Sequence, residues 1–293
     1  MLGCEHVFAR VPELVQNLLG ISVNQAQTYR VCQAIAQVID PDLLHSPGPL
    51  LAEQQAQPTA LIYGMVDGSM LLTDTGWQET KLGRVFAQKD HRPSPFRSTI
   101  VDSEYVAQRG SYHHFTPAFE RLLPPDSAAR KVFVTDGAEW IGNWLSATYP
   151  TATHILDYFH VVEKLATLAR ELPHGAVWLA DQQAALLADG SQQVEDNVLA
   201  LSQLSLSQRS SVVGYLIKNR DRMRYKTYQK QGLLIGSGPI EAAHKSVLQV
   251  RMKRSGQHWA NMGCDNMVRL RVAHQSGKFS LVTDLLKAHQ AKN

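Results

Sequence analysis

The sequence predicts an α/β fold, a mixed five-stranded sheet with a long all-helical stretch set into it. Three observations carry that expectation. Apolar, strand-like runs recur at 61–66, 70–73 and 78–91 with short breaks between them, as in a meander of half-buried strands. Two later runs, 131–135 and 153–157, each pass almost at once into helical spacing, the mark of βα units. Between 158 and 232 the chain is rich in Ala, Leu and Gln and holds no convincing strand.

Residues 1–58 read as a helical segment and linker. "ARVPELVQNLLG" is a helix stopped by Gly20, and Ser22 with Gln25 has the spacing of a capping box. "VNQAQTYRVCQAIAQVI" follows as a second helix, so the pair has a helix-turn-helix outline. The Pro-rich and polar stretch 40–58 reads as linker. Residues 59–157 form the first part of a core: the three-strand meander, a loop at 92–111, a helix over "FTPAFERLL", strand 131–135, a helix from Ala138, and strand 153–157. In that second helix Trp140, Ile141, Trp144 and Leu145 share one stripe, which makes Trp140 a core residue rather than a stacking platform. Residues 158–232 are the helical insertion. Residues 233–293 bring "GSGPIE", where Ser237 can cap and Pro239 suits the first turn of a helix carrying Glu241, and then a basic tail.

The chain has 293 residues, 44% hydrophobic and 19% charged, an ordinary balance for a folded protein with an ample core. No apolar run approaches the roughly 20 residues of a membrane span. Glu5, Arg10 and Glu13 interrupt any signal-peptide core. Cys4, Cys32 and Cys264 form no pairing or zinc pattern. A cytoplasmic protein without membrane attachment is expected. The net charge of +3 hides an asymmetry: from Lys218 to Lys278 thirteen Lys and Arg face three Asp and Glu, a surplus of ten. A polyanion partner is expected at that end. Tyr225, Tyr228 and Trp259, interleaved with the charges, favour nucleic acid over a merely solvated face. Arg251, Lys253 and Arg254 are the candidate DNA contacts.

The stretch "LIYGMVDGSMLLTD" leaves Asp67 with two readings. Asp-Gly between strand-like runs is a strong hairpin signal. Yet "KVFVTDGAEWIGNW" places Asp136-Gly137 at a strand-to-helix junction, where α/β proteins put working groups, and a second strand-end aspartate weakens the purely structural reading of the first. The order βββαβαβα matches a ribonuclease H-like sheet. There Asp67, Asp136 and Glu241 would converge on one edge. Three carboxylates would repel one another unless a cation joined them. Mg²⁺, or Mn²⁺ in its place, suits such oxygen ligands, and two ions could serve the attacking and leaving oxygens of a phosphodiester. His113-His114 has no third ligand at metal spacing. Asp157 can be a plain helix cap, and Lys245 a plain i,i+4 partner of Glu241 or a phosphate contact.

The blocks "YGMVDGS", "VFVTDGAEWI", "ILDYFHVVEKL", "GSGPIEAAHK" and "RMKRSGQHWA" resemble, in order, those of bacterial insertion-sequence DDE transposases, nearest the ISKra-type family, over about residues 60 to 275. The resemblance implies a catalytic triad and metal-ligand set at Asp67, Asp136 and Glu241, with Asp157 and His160 as a supporting shell. It implies metal-dependent cleavage and strand transfer on transposon-end and target DNA, by a homo-oligomer. Family members carry a longer region before the core, so this chain reads as a shortened copy. Three other readings stay open: a ribonuclease H-like nuclease or resolvase without strand transfer, an inactive DNA-binding remnant, and, more remotely, a two-carboxylate glycosidase.

Overall fold

The computed structural model describes residues 1–94 and 98–290. The chain is α/β, with five main sheet strands of mixed direction. It divides into two compact units, Met1–Arg130 with Pro239–Asn293, and Lys131–Gly238.

The first unit holds the antiparallel strands β1 (Leu61–Thr73) and β2 (Gly76–Ala87), a short ladder of β3 (His91–Arg92) and β4 (Thr99–Ile100), and β5 (Glu104–Arg109), which pairs antiparallel with β2. The runs 61–66 and 70–73 are one strand and not two. Asp67 lies within it, opposite Leu82. The hairpin turn comes later, at Asp74-Thr75, where Gly76 takes the left-handed φ of 94° that an L side chain resists. The stretch expected as a loop, 92–111, supplies the third meander strand, β5.

Helices flank this meander. They are α1 (Leu2–Glu5), α2 (Val11–Leu19), α3 (Gln25–Val38), α4 (Pro41–His45), α5 (Pro49–Gln55) and α6 (Tyr112–Leu122). Asn24, rather than Ser22, closes the capping box: its Oδ1 accepts from Gln27 N, and Gln27 Oε1 accepts from Asn24 N, both at 2.8 Å. The expected linker is partly helical, because Pro41 and Pro49 occupy first-turn positions where the missing N–H costs nothing. The core gathers Tyr63, Met65, Leu82, Phe86, Phe115 and Phe119, each at most 1% exposed.

The second unit pairs β6 (Arg130–Thr135) and β7 (Thr153–Leu156) in parallel, connected by α7 (Glu139–Thr148). Ile141, Trp144 and Leu145 are buried as the stripe requires, with Trp140 half-buried and stacked on Trp144. From there to residue 232 the chain is helical: α8 (Tyr158–Ala169), α9 (Gly175–Leu186), α10 (Ser191–Leu199), α11 (Leu206–Asn219) and α12 (Tyr225–Lys230).

The chain then re-enters the first unit through α13 (Gly238–Ala243), which runs on into a π-helical stretch (His244–Gln249) and the turn α14 (Val250–Met252), before α15 (Asn261–Gln275) and α16 (Phe279–Gln290). Among the described residues no helix is long and apolar enough to cross a membrane.

Candidate active site

In the first unit, β1 and the α13–α14 stretch line one open pocket of about 530 Å³. Asp67, Ser69, Glu241, His244, Lys245 and Lys253 are among its walls. The alternation of β1 puts Asp67 and Ser69 on the same side of the strand as buried Tyr63, Met65 and Leu71, yet leaves the Asp67 side chain 32% exposed at the pocket. Its Oδ1 accepts from Gly68 N at 2.7 Å, and Oδ2 lies 3.2 Å from His244 Nε2. Glu241 and Lys245, then Gln249 and Lys253, recur every fourth residue and are exposed toward solvent as one helical face. Lys253 Nζ donates to Ser69 Oγ at 3.4 Å. Two carboxylates and two ammonium groups thus share a single open pocket.

The second unit holds the other predicted acids. Asp136 directly follows β6, and its Oδ1 accepts from the N–H of Ala138, the residue before α7, at 3.0 Å. Gly137 is required between them: φ is 79°, and a Cβ would stand 2.7 Å from Leu156 Cδ1. Tyr215 Oη donates to the Asp136 carbonyl at 3.1 Å; burial, then the nearby Asp136 and Asp157, push that phenol's pKa up. Asp157 is fully buried. It caps α8 by accepting from Phe159 N at 2.9 Å, and also accepts from His160 Nδ1 at 2.8 Å and Ser237 Oγ at 2.5 Å. The cap reading of Asp157 is therefore right, but the same carboxylate also fixes an imidazole. Burial opposes ionisation of Asp157, and the His160, Ser237 and Phe159 hydrogen bonds outweigh it, holding the carboxyl below its usual range. The hydrogen bond from Asp157 raises His160 to about 9, so at neutral pH it is an imidazolium, 38% exposed.

The expected DNA cations separate. Lys253 and Arg254 are exposed. Arg251 is 1% exposed. Its guanidinium lies 4.6 Å from the Phe8 ring centre and 5.0 Å from that of Trp259, and Nε donates to Gly3 O at 3.0 Å. Burial lowers its pKa to about 10. Arg251 is a core residue holding the N-terminal segment, and not a surface contact. Tyr225, Tyr228 and Trp259 are at most 7% exposed. Their alternation with charges reflects helix faces and core, so they offer no stacking surface to a nucleic acid.

Sequence reasoning passed over His244, Ser69 and Gln249. The signal for His244 was present as Glu241-x-x-His244, which sets two side chains on one face of a helix. The donor chemistry of the first-unit pocket, carboxylate oxygens beside a buried imidazole, fits a divalent cation. Among the described residues no three His, Cys, Asp or Glu side chains are gathered as a complete ligand set. No protein-family model matches the chain, and no curated protein matches it.

Proposed function

We propose that this chain is a DDE-type DNA transposase of the ribonuclease H-like class, nearest the ISKra-type insertion-sequence family. It would cleave phosphodiester bonds at the ends of a mobile element and join them to target DNA. The observation that carries this is the position of Asp67: a carboxylate in the body of a strand, where no turn needs it, facing the same pocket as Glu241. A half-exposed strand position flanked by buried Tyr63, Met65 and Leu71 seldom keeps an acid without a use for its charge.

Asp67 and Glu241, which line one pocket, and Asp136, which the resemblance adds to them, would be the ligands of Mg²⁺ or Mn²⁺, one ion or a pair. Bound there, the ions would supply Lewis acidity to the attacking and leaving oxygens of the phosphodiester. The chain's own residues do the rest. Lys245 and Lys253 draw a phosphate toward the carboxylates and offset its charge. Arg254, exposed and next to Lys253 in the chain, adds a further positive charge. Asp157 and Ser237 fix His160 as a cation on the unit that carries Asp136. The partners implied are element-end and target DNA, held by an oligomer of the chain, and the compartment is the cytoplasm.

The test is cleavage of DNA carrying both flanks of the chain's own gene. With Mg²⁺ or Mn²⁺ the wild type should nick at the element boundary. Asp67→Asn, Asp136→Asn and Glu241→Gln should each lose that activity while keeping their thermal stability. Cutting that survives all three substitutions would refute the assignment.

A further inference from the structure

His244 is a pocket side chain to which the proposed chemistry gives no task. It follows Glu241 by one helical turn and is 4% exposed. A buried imidazole ordinarily satisfies both ring nitrogens, one donating and one accepting. In His244 neither Nδ1 nor Nε2 has a hydrogen-bond partner among the described residues. Yet Nε2 stands only 3.2 Å from Asp67 Oδ2. The two atoms are close without being aligned as donor and acceptor. Two ligands on one cation have that relation: donors about 2.1 Å from an ion and at right angles to each other lie about 3 Å apart. The helix is also locally widened from His244 onward, and such π-turns recur where a side chain is re-aimed for function.

We propose that His244 Nε2 and Asp67 Oδ2 are neighbouring ligands of one divalent transition-metal ion, of the Mn²⁺ type, in this pocket. The proposal rests on the metal-dependent reading given above and refines it. A site made only of carboxylates suits Mg²⁺, which demands hard oxygens; an imidazole nitrogen moves the preference toward first-row transition ions. For this one ion the proposal commits to two protein ligands, with no gathered set of three among the described residues; the ligand roles proposed above for Asp136 and Glu241 then belong to the second ion of a pair. The remaining positions fall to water and to phosphate oxygens, as hydrated dications at phosphate sites require. The alternative is an imidazole that merely packs beneath Asp67.

Pulsed electron paramagnetic resonance of the full chain with Mn²⁺ alone separates the two. The expected result is a directly coordinated nitrogen, whose coupling changes from the ¹⁴N to the ¹⁵N pattern when the protein is grown on ¹⁵N-histidine. His244→Gln should abolish the coupling and weaken Mn²⁺ binding about tenfold or more, with Mg²⁺ binding altered much less. His244→Asn, checked for folding by circular dichroism, provides a second variant should the first be unstable. Mn²⁺ that binds with oxygen ligands only, or a coupling that survives in both variants, would overturn His244 as a ligand and leave the transposase reading standing. Failure of both Mn²⁺ and Mg²⁺ to bind the wild type would overturn both.

Discussion

Asp67 shows how much one residue's place decides. As a turn residue it would be interchangeable with Asn, since Asn-Gly turns equally well. In the body of β1 it is a charged group beside buried apolar neighbours, and Asp67→Asn keeps the shape and the acceptor for Gly68 N while removing the charge. Cleavage is expected to fall on the order of a hundredfold or more, with little change in melting temperature. His160 offers a separate prediction. Its folded pKa of about 9 exceeds the ordinary 6.5, because of the Asp157 hydrogen bond. A raised basic pKa contributes stability that is complete below the unfolded value and is lost as pH rises through the folded one. The second unit should therefore weaken between roughly pH 6.5 and 9, and His160→Gln should flatten that dependence in pH-resolved denaturation curves. Asp157 acts at the other end. Its lowered pKa contributes stability above about pH 4 that is lost on acidification.

At the scale of elements, the α13–α14 stretch sorts its charges by face. Glu241, Lys245 and Lys253 point to solvent, whereas Arg251 points inward to Phe8, Trp259 and the Gly3 carbonyl. Arg271 on α15 repeats the inward pattern. It is 1% exposed and donates to Cys4 O at 3.1 Å and Val247 O at 2.9 Å. These two arginines lock the first residues of the chain to the elements that carry Glu241. Arg251→Gln is expected to destabilise the first unit by on the order of 2–3 kcal/mol, because a buried cation–π pair and a hydrogen bond are removed; urea melts would measure it. Lys253→Gln with Arg254→Gln should instead leave stability near wild type. That pair should flatten the slope of log K for DNA against log salt by about 0.9 for each phosphate that is no longer neutralised. An unchanged slope would place both cations on an idle surface.

Across the whole molecule, what was legible in the sequence followed from local periodicity. The two βα units, the strand-free 158–232 stretch and the strand runs of β1 and β2 follow from period two or 3.6, whereas β5 lies in the stretch expected as a loop. The boundary errors have specific causes. Asp67-Gly68 imitates a turn, and only the pairing of β1 with β2 along its whole length shows that the chain does not turn there. Pro41 and Pro49 imitate a linker because first-turn prolines look the same as loop prolines. The site was half visible. Asp67 and Glu241, remote in sequence, do line one pocket. The burial of His244, and that of Arg251, depends on segments that no local pattern connects, so neither could be read before the fold.

If Asp67 is a metal ligand in a phosphodiester-cleaving site, as proposed, a metal swap at that position should reveal it. Asp67→Cys replaces a hard oxygen donor with a soft sulfur, which Mg²⁺ tolerates poorly and Mn²⁺ tolerates better. Cleavage of the gene's own flanking DNA by this variant would be measured in each metal. Asp67→Cys is expected to be inactive in Mg²⁺ and to regain activity in Mn²⁺, while the wild type cuts in both. A folded Asp67→Cys protein that cuts in Mg²⁺ as well as wild type does would contradict the metal-ligand role.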